Sequence, residues 1–87
     1  MYNTLNFSIT HVLFILQKAI HEAARAGHAD IASMLIQKHG ADVNERTLHE
    51  GKKGGTPLYF AERRHGADHA IVATLKKLGA VNLGPEL

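Results

Sequence analysis

Histidine is the residue type in this chain with the clearest capacity for chemistry. There are seven, and His65 and His69 have the i, i+4 spacing that places two imidazoles on one helix face, as in zinc sites. Gly66 interrupts a helix between them, no Glu stands between them as a general base, and no third ligand is evident. We therefore predict no metal and no cofactor, and we assign the histidines to loops and helix ends.

Other residue patterns that support catalysis do not occur in the sequence. It has no cysteine, no Gly-x-Ser-x-Gly turn and no glycine-rich phosphate loop after a strand. Residues 52–56, KKGGT, have the composition of a phosphate loop in the wrong order. Because no nucleophile, acid and base occur at a workable spacing, we predict that the chain is not an enzyme.

Basic residues form three pairs, which are Lys52-Lys53, Arg63-Arg64 and Lys76-Lys77. The net charge is +2, and from residue 46 onward seven Lys and Arg stand against four acids. Such a field attracts an acidic partner only weakly, because salt screens it beyond about 8 Å. Stacking on nucleic-acid bases needs interleaved aromatic residues, and only Tyr59 and Phe60 are near. These pairs therefore favour a solvated face over a nucleic-acid site.

An internal repeat determines which elements carry these residues. Residues 18–44 (KAIHEAARAGHADIASMLIQKHGADVN) align with residues 56–82 (TPLYFAERRHGADHAIVATLKKLGAVN). With about two extra residues in the second copy at residues 64–66 and one extra in the first at residues 37–39, Ile31 matches Ile71 and Leu35 matches Leu75. The second copy opens with Thr-Pro-Leu, each copy has a glycine turn before its Ile-x-x-x-Leu helix, and they end in GADVN and GAVN. These features resemble the ankyrin repeat, whose signature includes T-P-L-H-x-A.

The resemblance implies an all-α fold of two helix pairs, one in each copy, with a long inter-repeat loop at residues 45–55 and a tail at 83–87. We expect Gly27, Gly40, Gly66 and Gly79 to end helices, Thr56 and Pro57 to open one, and Asp68 to cap another. The predicted inward faces consist of these residues: Leu16, Ala19, Ile20, Ala23, Ala24, Ile31, Met34, Leu35, Leu58, Ala61, Ile71, Val72, Leu75 and Leu78. His21 takes the position of the signature histidine, which implies a structural role.

The amino-terminal segment, residues 1–17, precedes the first repeat. Its apolar spacing predicts a helix that begins near Ser8 or Thr10 and runs into the first repeat, with a short strand as the alternative. Phe14 and Ile15 lie off the main stripe, so the segment needs more cover than one face provides. Because about three repeats are usually needed for a stable stack, we expect this segment to cap the two repeats or to join two chains. It is too short to cross a membrane and has no basic residues before it, which disfavours a signal peptide.

The resemblance also implies a function, which is binding of a protein partner without catalysis. Since we predict neither a signal peptide nor a transmembrane segment, we expect a cytoplasmic location. Contacts in this family come from loop tips and the concave face of the first helices. At matching positions the predicted partner-binding residues are Arg25, Ala26, His39, Arg46, Thr47, Lys53, Arg63, Arg64 and Leu78. Two alternatives remain: a small self-associating structural or regulatory subunit, and, more weakly, a basic nucleic-acid binder.

Overall fold

Four helices and one hairpin make up the part of the chain that the computed structural model describes, which is residues 4–86, with side chains from residue 12 onward apart from that of His49. The elements are α1 (Thr4–Ala26), α2 (Ala29–His39), β1 (Leu48–His49), β2 (Lys52–Lys53), α3 (Pro57–His65) and α4 (Ala70–Lys77). Helix α1 packs on α2, α3 packs on α4, and the pairs stack through α1 on α3 and α2 on α4. The predicted all-α fold of two ankyrin-like helix pairs is confirmed.

Most helix ends follow the predicted signals. Gly27 and Gly40 take the left-handed conformation after α1 and α2, with φ of +79° and +75°, which costs glycine little. Thr56 caps α3 by accepting a 3.4 Å hydrogen bond from the Tyr59 N–H. The predicted cap of α4 is wrong, because His69 rather than Asp68 holds that position. Helix α4 begins one residue later than Asp68 requires, and the His69 imidazole accepts the bond that a carboxylate would have taken.

The core is built from small and branched side chains at the contact between the two pairs. Its buried members are Ile20, Ala23, Ala24, Ala32, Ala41, Leu58, Ala61, Ile71, Val72 and Leu75. Two residues predicted to face inward do not, because Ile31 is 44% exposed and Met34 is 41% exposed. Helix α2 instead turns Ala32 into the core, with Leu35 and Ile36 packed beside it. Ala32 is fully buried at this contact, and Ile31 and Met34 lie on the more exposed side of α2.

Helix α1 includes most of the amino-terminal segment. It begins at Thr4, earlier than the predicted start near Ser8, and continues without a break into the first repeat. Leu16 packs against the core, whereas Val12, Leu13, Phe14 and Ile15 are each between 49% and 63% exposed. The described part of the segment therefore extends α1 and presents apolar surface. None of the helices in the described ranges is long and apolar enough to cross a membrane.

Hydrogen bonds join the tail to the inter-repeat loop. The Glu86 N–H donates to the Lys53 carbonyl over 2.9 Å, and the Thr56 N–H donates to the Leu83 carbonyl over 3.0 Å. The Thr56 hydroxyl also donates to the Val81 carbonyl over 2.7 Å and accepts from the Leu83 N–H over 3.2 Å. Residues 81–86 thus lie antiparallel to residues 53–56 and hold the loop in place.

Candidate protein-binding groove

A groove of about 350 Å³ runs between α1 and the start of the hairpin. It is lined by Phe14, Gln17, Lys18, His21, Glu22, Arg25, Thr47 and Leu48. Phe14 comes from α1 and is 63% exposed, and Leu48 comes from the hairpin and is 69% exposed. The groove therefore has exposed apolar residues from two separate elements and polar residues between them.

The helical repeat of α1 places most of the groove residues on one face. Phe14, Lys18 and Glu22 are successive i, i+4 neighbours, so their side chains follow one another along the helix surface. Gln17, His21 and Arg25 form the adjacent row with the same spacing. One helix thus supplies six groove residues, and the hairpin segment supplies Thr47 and Leu48.

Arg25 is held in position by its neighbours. Its guanidinium lies 4.4 Å from the centre of the Phe60 ring, a cation–π distance, and 3.7 Å from the Glu22 carboxylate. Phe60 belongs to α3, so this stacking also joins the two helix pairs. Lys18 is exposed and makes no hydrogen bond or ion pair in the described part of the chain. Arg25 is thus partly neutralised, and Lys18 is the groove cation without a partner.

His21 lies buried beneath the groove, with 2% of its surface exposed. Its Nδ1 is 2.8 Å from the Gln17 carbonyl, which can only accept, so Nδ1 carries the proton. Nε2 is then an acceptor, and it has no partner in the structure. The ring meets Phe60 edge to face at 5.8 Å between centroids. These contacts agree with a structural role for His21 that links one repeat to the next.

The hairpin wall depends on Arg46. Its Nε donates to the Gly54 carbonyl over 2.9 Å and its Nη2 donates to the Gly84 carbonyl over 2.7 Å. The Arg46 carbonyl in turn accepts from the Gln17 amide over 3.3 Å, which fastens the segment to α1. Arg46 therefore positions the wall, and these donors are already engaged within the chain.

A tight turn closes the hairpin. Leu48 pairs with Lys53 in an antiparallel ladder, and the two turn residues, Glu50 and Gly51, have φ of +52° and +79°. Two successive positive φ values are typical of the type I′ turn, which matches the twist of a two-stranded hairpin. The predicted inter-repeat loop thus contains a hairpin that brings Thr47 and Leu48 to the groove.

Comparison with known proteins supports the same architecture. Residues 17–48 match the family model described as Ankyrin repeat. The chain carries an ankyrin repeat. It is also 51% identical over 45 residues to the NF-kappa-B inhibitor cactus of Drosophila yakuba and to that of Drosophila melanogaster, which covers 52% of this chain and 8% of each relative. The chain thus spans less than a tenth of the curated relatives it matches. No solved structure matches it.

The matched range of the ankyrin repeat ends at residue 48, so the second copy is supported by its geometry. Helices α3 and α4 repeat the pairing of α1 and α2, and Thr56-Pro57-Leu58 opens α3 as the signature requires. Tyr59 stands where the signature has histidine. Its ring packs against Gly55 and Gly84, where an added side-chain carbon would lie close to the ring. The second repeat thus uses a larger ring with close glycine contacts where the first uses His21.

The structure distributes the predicted contact residues over several surfaces of the ankyrin stack. Arg25 and Thr47 line the groove, Arg46 supports it, and Ala26 follows Arg25 as an exposed helix end. The others lie elsewhere: His39 is exposed at the end of α2, Leu78 is half-buried after α4, Lys53 is exposed in β2, and Arg63 and Arg64 are exposed on α3. Arg63 lies 5.3 Å above the Tyr59 ring.

Phe14, Lys18 and Glu22 line the groove but are absent from the predicted set. Their i, i+4 spacing was the signal that could have identified them, because it continues the row that faces away from the Leu16 and Ile20 core stripe.

The His65–His69 pair lies at the contact between the two helix pairs. The rings lie 4.5 Å apart, and His65 Nε2 is 2.6 Å from the Arg25 carbonyl at the end of α1. His69 Nδ1 accepts the Ile71 N–H over 3.1 Å, so the neutral ring carries its proton on Nε2 and has no free nitrogen for a metal. Both rings pack on Gly27, where a Cβ would lie 3.0 Å from three ring atoms. Among the described residues no three His, Asp or Glu side chains form a metal-binding group.

Proposed function

We propose that this chain is a non-enzymatic protein-binding module and that the groove between α1 and the hairpin receives a segment of the partner. Ankyrin repeats generally mediate protein–protein interaction, which gives the class of function. The observation that supports this surface is the combination of two exposed apolar walls, Phe14 and Leu48, with a cation, Lys18, that has no partner among the residues the structure describes. Apolar side chains beside organised polar groups are typical of binding sites.

The relatives agree with this class of function without identifying the partner. Cactus is named as an inhibitor of NF-kappa-B, so that protein acts on another protein. The present chain covers only 8% of that protein. The remaining predicted contact residues form a second, smaller proposal, in which Arg63 and Arg64 contact the partner from the exposed face of α3.

Affinity capture with three variants tests the proposal. Leu48→Gln should lose the partners that the unaltered chain captures, because it removes one apolar wall. Met34→Gln is the matched control, since Met34 is a similarly exposed apolar residue on α2 and does not line the groove. An Arg63→Glu/Arg64→Glu variant tests the second surface. If the Leu48→Gln variant still captures the partners and the Met34→Gln variant does not, the groove is excluded as the binding site.

Self-association is the second candidate function, and the exposed stretch of α1 favours it. Four consecutive apolar side chains, residues 12–15, are about half to two-thirds exposed, and no charged residue occurs in residues 1–17. A helix that is apolar on all sides is usually buried in an assembly. Sedimentation over a range of protein concentrations decides the matter, because a dimer through this stretch must dissociate on dilution. A chain that sediments as a monomer at every concentration would exclude this candidate.

A further inference from the structure

The charges of the groove indicate what kind of segment it binds, and this inference rests on the proposed function. Three charged side chains line the groove: Lys18, Glu22 and Arg25. The Glu22 carboxylate lies 3.7 Å from the Arg25 guanidinium, so these two groups offset each other. Arg25 is further occupied by the Phe60 ring at 4.4 Å. The uncompensated charge is therefore the Lys18 ammonium, which favours a negative group on the ligand.

The position of Lys18 relates that charge to the apolar walls. Lys18 follows Phe14 by four residues on the same face of α1, a spacing that places the two Cβ atoms about 5–6 Å apart. Leu48 supplies the other apolar residue from the hairpin. A side chain held by Phe14 and Leu48 thus lies within one or two residues of a group that reaches Lys18. The volume of about 350 Å³ is at the low end of the range for small-ligand pockets, about 300–1,000 Å³, and suits a few side chains of a peptide.

We infer that the groove binds a peptide segment in which a large apolar residue, such as Leu, Phe or Trp, stands within two residues of an Asp or Glu. The apolar side chain inserts between Phe14 and Leu48, and the carboxylate pairs with Lys18. A lysine-rich segment is disfavoured, since Lys18 would face a like charge.

Panning a random peptide library displayed on phage against the intact chain tests this inference. Enriched sequences should share the apolar–acidic pair, and synthetic fluorescent versions give dissociation constants by anisotropy. Lys18→Ala should weaken binding about two- to fivefold, as for an exposed ion pair, and Leu48→Ser at least about tenfold, as for a lost apolar contact. In Lys18→Glu, a peptide with Lys in place of the acid should bind more tightly than the original. Lys38→Glu, a charge reversal at the exposed end of α2, should change nothing, and circular dichroism checks that every variant is folded.

The outcomes separate the inference from the proposed function. Two outcomes would overturn the acidic specificity and leave the groove as a binding site. In one, the peptides lose affinity with Leu48→Ser but contain no acid. In the other, they lose affinity with Leu48→Ser but bind the Lys18→Glu variant with unchanged affinity. Peptides that bind the Leu48→Ser and Lys18→Glu variants as tightly as they bind the unaltered chain would overturn both the inference and the proposed function.

Discussion

Replacing Thr56 by valine should destabilise the protein by about 2–3 kcal/mol. Thr56 is fully buried, and its hydroxyl donates to the Val81 carbonyl over 2.7 Å while it accepts from the N–H groups of Leu83 and Tyr59. Valine has the same shape and none of these bonds. Loss of a helix cap costs about 1 kcal/mol, and leaving buried partners unsatisfied costs about 1–3 kcal/mol. We take the lower part of the latter range because the Val81 and Leu83 side chains are 49% and 42% exposed, so water reaches this strip.

Thermal unfolding followed by circular dichroism measures the effect. For a domain of this size each kcal/mol lowers Tm by about 4–8 °C, so Thr56→Val should lower it by about 10–20 °C. The predicted loss of about 2–3 kcal/mol is a large part of a typical free energy of unfolding of about 5–15 kcal/mol. Thr56→Ser is the control, because it keeps the hydroxyl and loses only a methyl group. The reasoning fails if the valine variant melts within about 3 °C of the unaltered chain, or if serine is as damaging as valine.

Three further predictions concern the turn after α1, the hairpin wall and the exposed helix. Gly27→Ala should lower Tm more than Gly40→Ala. Both glycines have positive φ, but only at Gly27 would the added Cβ lie 3.0 Å from the His65 and His69 rings. Equal losses of Tm would show that the histidine rings move aside. Arg46→Lys cannot reproduce the two guanidinium bonds, so amide hydrogen exchange in residues 47–55 should become at least about tenfold faster. Exchange in α4 should be unchanged. Exchange in residues 47–55 that stays slow would contradict the role given to Arg46. Leu13→Asp should leave Tm of a dilute sample unchanged, because Leu13 is 60% exposed, and should abolish any concentration dependence of sedimentation; a variant that unfolds would show that the stretch is packed within one chain.

The sequence predicts the helix pairs well because their signals are local. Thr56 and Pro57 start a helix by their own hydrogen bonding and backbone angles, and Gly27 and Gly40 end helices by accepting positive φ. The core positions in α1, α3 and α4 follow from the apolar period for the same reason. These features need no knowledge of what lies across the interface.

The misplaced predictions depend on contacts between distant residues. Which face of α2 is buried depends on its rotation against α1 and α4, and the structure buries Ala32 rather than Ile31 and Met34. The cap of α4 depends on His69 packing beside His65, a contact that spacing alone suggested only as a metal site.

The candidate site was predicted in part. The resemblance placed Arg25 and Thr47 near a binding surface, and both line the groove. The resemblance also implied that Arg46 contacts the partner, but in the structure its guanidinium donates a hydrogen bond to the Gly84 carbonyl, 38 residues away. Leu48 is an isolated apolar residue in the sequence of the loop, and its role as a groove wall depends on the register of the hairpin with Lys53.

The antiparallel strip between the tail and the loop has a mechanical consequence. A pull on the carboxyl terminus loads the Glu86 to Lys53 bond first, then the bonds at Gly84 and Leu83, so the strip opens like a zipper, one bond at a time. Each step requires far less force than shearing stacked helices apart. Opening at Gly84 removes one of the two bonds that fix Arg46, and with it part of the support of the hairpin wall. Because Lys53, which bonds Glu86, also pairs with Leu48, we expect tension on this end of the strip to loosen the hairpin wall before it separates the helix pairs.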